Sequence, residues 1–223
     1  MLGNTGGFVI PTADMDPAGT FRGGINYIGQ GLIAPESDAQ YKWKFDYDNA
    51  VYYVNFTVFD WLEASFRETL LKTYKHDRFR FREQDRSICL KVRPLKEGRL
   101  YPAVAIGIND PGSFTGQHPY ASVWVAATKH LHSRLTAGTW CATVAYAQHI
   151  DDSQMYQGPM AGLSYSPDFM PTATVMAEYD GHGVNVGVQA LLWHHLGIYA
   201  FTRDFSKTIS AGIRYQTTIK FRK

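Results

Sequence analysis

The chain has few cysteines, no long apolar run and almost no helical periodicity. Its two cysteines, Cys89 and Cys141, exclude a disulfide framework, and whether they form one bridge stays open. No run of about 18 apolar residues occurs, which excludes a transmembrane helix. The best helical candidate, WLEASFRETLLKT from Trp61, also alternates with a period of two, and its neighbours favour a strand.

Charged residues are also scarce. They make up 19% of the 223 residues, and the net charge is +2, which does not predict a nucleic-acid partner. We interpret the basic cluster LKTYKHDRFRFR, from Leu71, as a solvated loop. No secretory signal is visible after Met1, so the chain is either cytoplasmic or a mature form whose leader has been removed.

Alternation of apolar and polar residues is abundant, by contrast. The stretch ISAGIRYQTTIKF, from Ile209, places branched and aromatic residues at odd positions and polar or small ones at even positions. Aromatics reach 14% of the chain, which suits strands and the aromatic belts of membrane proteins. Similar segments begin near residues 19, 50, 62, 84, 100, 119, 134, 157, 172, 183, 195 and 207.

Segment number and length predict an all-β fold, a transmembrane antiparallel β-barrel of about twelve strands of the outer-membrane type. Most segments have the length that a tilted strand needs to cross a bilayer, and an even number allows closure with both termini on one side. Long connections (29–49, 73–83, 110–118 and 148–156) alternate with short turns near Asp60, Lys96, His130 and Trp193. This alternation is typical of long extracellular loops and short periplasmic turns.

The orientation of the two faces decides between a membrane barrel and a soluble one. We expect the apolar face to meet lipid and the polar face to line the interior; a soluble ligand-binding β-barrel would have the reverse arrangement. Residues 19–223 are the predicted barrel. Residues 1–18 lack alternation and are predicted to be either a periplasmic lead-in or a plug in the lumen.

Four stretches resemble a known family. They are GNTGGFVIPTADMDPAGTFRGGINY from Gly3, YVNFTVFDWLEASFRET from Tyr53, the long run QDRSICLKVRPLKEGRLYPAVAIGINDPGSFTGQHPYASVWVAATK from Gln84, and MAEYDGHGVNVGV from Met176. In this order they resemble the YjbH-type exopolysaccharide and capsule biosynthesis family. The chain is similar to a single barrel of the longer members.

The resemblance implies a protein of the bacterial outer membrane with a part in surface polysaccharide production or export. We expect a non-enzymatic scaffold or narrow channel without a cofactor, in contact with outer-membrane lipid and with polysaccharide or other envelope proteins. The alternatives are an outer-membrane barrel hydrolase of the lipase type and the soluble ligand-binding barrel.

Charged residues at predicted inward positions are the candidate lumen lining. They would make either a charged channel or a network of ion pairs that closes the pore, and we favour the network. The candidates are Arg22, Glu63, Arg67, Lys91, Arg93, Glu178, Arg214 and Lys220.

Three further groups of residues bear on sugar binding, metal binding and hydrolysis. The aromatic residues Tyr41, Trp43 and Tyr47 of the first long loop are candidates for stacking on sugars, although an extended hairpin is favoured there. The pairs His130/His132 and His194/His195 lie in predicted turns without a third ligand at recognisable spacing, so no metal site is expected. A hydrolase would need Ser113 or Ser153 with His118 or His149, and no nucleophile motif surrounds either serine.

Overall fold

Twelve strands form the fold. A computed structural model describes residues 3–29, 32, 48–75, 78–111, 120–150, 155–205 and 208–219, and for 71–75 and 78–84 only the backbone is described. The described residues contain no helix that is long and apolar enough to cross a membrane. The strands are β1 (Thr20–Ile28), β2 (Asn49–Phe59), β3 (Leu62–Lys75), β4 (Arg78–Leu95), β5 (Ala103–Asn109), β6 (Ser122–Ser133), β7 (Gly138–His149), β8 (Gly158–Pro167), β9 (Ala173–Tyr179), β10 (Val184–Leu192), β11 (Leu196–Arg203) and β12 (Ile209–Thr218).

Each strand pairs antiparallel with its sequence neighbours, and the first pairs with the last. β1 pairs with β12 from Thr20 opposite Thr218 to Tyr27 opposite Ala211, which closes the barrel. The Thr20 and Thr218 hydroxyls lie 2.9 Å apart and form a hydrogen bond at this seam. The start of β1 and the end of β12 therefore lie at the same end of the barrel, together with the short turns.

The outward face is apolar, and the inward face carries the buried charged and polar strand residues together with some apolar ones. Ile213 on β12 is 48% exposed, and its neighbours across the sheet, Ile25 on β1 and Ile198 on β11, are 48% and 41% exposed. The adjacent Arg214 is only 8% exposed. A soluble barrel has the opposite arrangement, so the predicted transmembrane-type barrel is confirmed and the soluble ligand-binding barrel is not supported.

Aromatic side chains lie near both ends of the outer face. Phe59 and Trp61 stack at the short-turn end with ring centroids 5.3 Å apart, and Trp193 is exposed in the turn between β10 and β11. Tyr146 and Tyr179 are exposed at the opposite ends of their strands. Two such girdles flank the lipid-facing band of outer-membrane barrels.

Two predicted connections are wrong. The segment 73–83, which includes most of the basic cluster taken as a loop, belongs to β3 up to Lys75 and to β4 from Arg78. The run RFRFR alternates, and pairing it with β3 satisfies backbone groups that a loop would leave to water. The turn expected at His130 lies instead at residues 134–137, because β6 extends to Ser133 and Ala137 adopts the positive φ of 46° that the turn needs.

We predict that a charge on the outer face destabilises the barrel according to its depth. Ile213→Arg should lower the free energy of unfolding in lipid by about 2–4 kcal/mol, because it lies mid-strand, whereas Thr217→Arg near the strand end should cost about 0–1 kcal/mol. Urea-dependent folding into phospholipid vesicles, followed by tryptophan fluorescence, measures both. Equal costs at the two positions would contradict a lipid-covered outer face.

Candidate functional site

The candidate site is the interior of the barrel. Six of the predicted lumen residues are buried on inward-facing positions: Arg22, Glu63, Arg67, Lys91, Glu178 and Arg214. Arg93 is half-buried at the short-turn end, where its Nη2 donates to the Asp60 carbonyl at 2.6 Å. Lys220 lies outside the described residues.

The N-terminal residues 3–18, which we call the inner segment, contact inward-facing side chains all round the barrel. Their partners belong to β1, β3, β4, β6, β9 and β11. Only a segment inside a closed barrel can reach all these walls at once. Phe8 and Ala13 are fully buried there, and a bridge between Gly6 and Pro11 folds the segment back on itself.

Glu178 on β9 is the main anchor of the inner segment. Its carboxylate accepts hydrogen bonds from the backbone N–H groups of Phe8 at 2.6 Å, Val9 at 2.9 Å and, at the limit of hydrogen bonding, Ile10 at 3.5 Å. Consecutive N–H groups aimed at one carboxylate form an anion-binding nest. A Cβ at Gly7 would come within 2.1 Å of Glu178 Oε1, so this close approach requires a residue without a side chain.

Glu63 and Lys91 hold a second part of the inner segment. Glu63 Oε1 accepts from the Thr5 N–H at 2.9 Å, and Lys91 Nζ donates to the Thr5 carbonyl at 3.0 Å and to the Asp14 carbonyl. The Thr128 hydroxyl accepts from the Ala13 N–H at 2.9 Å. Because these contacts go to backbone groups, they fix the path of the segment rather than the identity of its side chains.

Arg22 forms an ion pair with Asp16 near the short-turn end. Arg22 Nε and Nη2 each lie 2.5 Å from an Asp16 carboxylate oxygen, which is a bidentate arrangement. Burial raises the pKa of the Asp16 carboxyl, and the charge of Arg22 opposes that rise. The pair therefore ties the end of the inner segment to β1.

Aromatic side chains of β11 also pack against the inner segment. The Phe8 ring stacks on Phe201 with centroids 4.9 Å apart and on Tyr199 at 6.1 Å. Ile10 lies over Gly162, where an added Cβ would come within 2.7 Å of Ile10 Cδ1. The inner segment therefore meets polar side chains of the barrel with its backbone groups and with Asp16, and apolar side chains with Phe8.

A separate cluster surrounds Arg67 on β3. Its guanidinium carbon lies 3.7 Å from the centre of the Tyr120 ring, a cation–π contact, and the Thr69 hydroxyl donates to the Tyr120 hydroxyl at 3.1 Å. Arg67 Nη2 also lies 3.6 Å from Cys89 Sγ. Cys89 and Cys141 are both free thiols, which answers the open question of a disulfide.

One sizeable cavity of about 230 Å³ remains between the inner segment and the walls from β6 to β10. Hydroxyl groups of Thr139, Ser164 and Ser166 line it, and Asp14, His130 and Cys141 lie on its edge. A smaller space of about 20 Å³ lies near Arg67 and Tyr156. The described part of the lumen is therefore largely filled.

Several interior groups were not predicted from the sequence. Asp14 and Asp16 were not singled out because the inner segment has no periodicity from which to place them. The ion pair between Arg203 and Asp180, 3.1 Å apart, was missed because Asp180 lies between β9 and β10, where no alternation predicts which side chains point inward. A signal existed at Arg203, which has the inward parity of Tyr199 and Phe201.

The remaining candidates lie partly outside the described residues. The loop aromatics Tyr41, Trp43 and Tyr47 lie outside the described residues, and so do Ser113, His118 and Ser153. His149 ends β7. His130 and His132 lie in β6 rather than in a turn, and each contacts a carboxylate, of Glu97 and Asp168 respectively.

The fold and its interior define the class: a transmembrane-type β-barrel whose lumen holds the chain's own N-terminal segment. The family model described as "Exopolysaccharide biosynthesis protein YbjH" matches residues 1–218. The chain therefore belongs to this family, as its motifs predicted. No curated protein sequence matches the chain.

Solved structures of outer-membrane proteins resemble the chain only in general shape. The Salmonella typhi outer membrane phospholipase dimer with bound calcium has 11% identity and a TM-score of 0.37, covering 90% of this chain and 91% of that one. The Escherichia coli outer membrane phospholipase A has 12% identity and a TM-score of 0.38, covering 92% and 98%. Pseudomonas aeruginosa OpdR has 11% identity and a TM-score of 0.29, covering 92% and 68%. At these values the similarity says nothing about activity.

We predict that loss of the Glu178 carboxylate releases the inner segment. Glu178→Ala leaves the N–H groups of Phe8 and Val9 buried without their acceptor, at a cost of about 1–3 kcal/mol each. Proteinase K should then cut within residues 3–18 several-fold faster, as followed by mass spectrometry, while heat-modifiable gel migration shows an intact barrel. Gly7→Ala should act similarly, because its Cβ displaces the same carboxylate.

Ser164→Ala is the matched control, since Ser164 lines the cavity beside the inner segment and its loss removes only a hydroxyl. Cleavage of Glu178→Ala at the rate of this control would show that the carboxylate does not hold the segment.

Proposed function

We propose that the protein is a plugged, non-enzymatic β-barrel of the bacterial outer membrane that serves as a scaffold in surface polysaccharide production or export. Family membership supports the polysaccharide context, and the apolar outer face with its aromatic girdles supports the membrane. The observation that carries the scaffold role is the occupation of the lumen by residues 3–18.

A plug held in this way favours a scaffold over an open channel. The inner segment is joined to opposite walls, by Glu178 on β9 and by Lys91 on β4, so it crosses the lumen rather than lining one side. The cavity of about 230 Å³ has room for a few waters or one small molecule, not for a polymer in transit. We therefore assign the barrel's function to its ends and its outer surface.

The proposed plug gives a conductance prediction. The protein should conduct little in planar bilayers, whereas deletion of residues 3–18 should open a water-filled lumen and give stable ion-conducting steps. Glu178→Ala should give intermediate, flickering openings, because it loosens the inner segment without removing it. Heat-modifiable migration checks that each variant has folded. Conductance of the unaltered protein equal to that of the deletion would favour a channel over a scaffold.

The non-enzymatic role is tested in cells and in detergent. Removing the gene should lower extracellular polysaccharide, and Ser113→Ala and Ser153→Ala variants should restore it as well as the unaltered protein does. The purified barrel should not hydrolyse phospholipid. Phospholipid hydrolysis that either serine substitution abolishes, together with failed restoration, would favour the hydrolase instead.

A further inference from the structure

Three side chains able to bind a metal meet at the edge of the cavity. His130 on β6 and Cys141 on β7 are opposite each other in the sheet, and both point into the lumen. Asp14 of the inner segment faces them. One ligand atom from each of the three lies within 4.8 Å of the other two. They come from two strands and the inner segment, so no sequence spacing relates them.

From this geometry we propose that Asp14, His130 and Cys141 bind a zinc-class divalent cation. Thiolate, imidazole and carboxylate are the protein ligands of Zn²⁺, and three of them with an open fourth position make a solvent-accessible site. Neighbouring ligands of a tetrahedral zinc ion lie roughly 3.5 Å apart. His130 Nε2 is 3.6 Å from Asp14 Oδ1, so binding needs only small side-chain shifts.

The histidine is already oriented for this role. Its Nδ1 lies 2.7 Å from Glu97 Oε2, and the other oxygen of Glu97 accepts from the His130 backbone N–H at 2.9 Å. Lys129 Nζ, 2.9 Å from Glu97 Oε1, holds the carboxylate in place. A carboxylate on one ring nitrogen leaves the other free to bind metal, which is the usual outer-shell arrangement of zinc histidines.

Asp14 is fixed with equal precision. The Thr12 hydroxyl lies 3.2 Å from Asp14 Oδ2 and also accepts from the Asp14 N–H at 3.2 Å. Lys91 donates to the Asp14 carbonyl. Asp14 Oδ1 is therefore the oxygen turned toward His130, and no large rearrangement of the inner segment is needed.

Charge and access also suit a divalent cation. The Asp14 carboxylate and a Cys141 thiolate together supply two negative charges, and the nearby Glu97 and Lys129 offset each other. His130 is 42% exposed in its side chain, so an ion can enter from the short-turn end. The fourth position opens into the hydroxyl-lined cavity, where water completes the coordination. A bound ion would join the inner segment to β6 and β7.

Zinc and cobalt binding to the full chain folded in detergent tests the proposal. The unaltered protein should bind one Zn²⁺ per chain in competition with a chromophoric chelator, and Co²⁺ should give a thiolate charge-transfer band. Cys141→Ser should abolish the band and weaken zinc binding at least tenfold. Glu97→Gln should weaken it tenfold to a hundredfold, as outer-shell changes do.

Matched controls separate this site from adventitious binding. Cys89→Ser alters the other free thiol, and His132→Ala alters the neighbouring inward histidine, and both should leave zinc affinity unchanged. Zinc should also slow proteinase K cleavage within residues 3–18 of the unaltered protein but not of Cys141→Ser. No zinc binding, or binding that Cys141→Ser leaves unchanged, would overturn the proposal and leave the plugged scaffold unaffected.

Discussion

The closure of β1 against β12 is the constraint on which the rest of the structure depends. A strand edge in lipid would leave backbone N–H and C=O groups without partners at several kcal/mol each, so the sheet must close. Closure at Thr20–Thr218 fixes the register, and the register fixes which side chains point inward. Because side chains alternate with a period of two, Ile213 then faces out and Arg214 faces in along the whole seam.

Closure creates a second requirement, because it gathers charged side chains in a narrow interior. A buried charge that lacks a partner costs several kcal/mol, and Glu178, Glu63 and Lys91 are all buried in the lumen. Backbone groups of the inner segment hydrogen-bond to these buried charges. Its N–H groups bind Glu178 and Glu63, and its carbonyls bind Lys91. Barrel and inner segment therefore stabilise each other, and the inward-facing Glu178, Glu63 and Lys91 form a binding site for residues 3–18.

The sequence predicts the barrel far better than its contents. Alternation is local and strong, so most strand starts, the strand number and the direction of each face could be predicted, and nearly all the charged lumen candidates with a described position are buried. The predicted hairpin of β3 and β4 is shorter than the observed one, because its basic residues resemble a solvated loop. The inner segment could not be placed, since its partners are backbone groups and the Phe8–Glu178 bond spans 170 residues. Side-chain patterns carry no information about such contacts.

The inner segment is held by different kinds of contact around Phe8 and around Asp14, the residue beside the cavity. Around Phe8 the segment is held by hydrogen bonds from its backbone N–H groups to the Glu178 carboxylate and by stacked aromatic rings. Around Asp14 and Asp16 it is held chiefly by charged groups near the short-turn end, namely the buried Arg22–Asp16 pair and the more exposed contact of Asp14 with His130. The contact between Asp14 and His130 is the more exposed of the two, so salt weakens it more than it weakens the buried pair. The proposed cation lies at this more exposed contact, where coordination by Asp14, His130 and Cys141 would add bonds that salt does not weaken. A metal there would therefore strengthen the more exposed of the two attachments at this end of the inner segment.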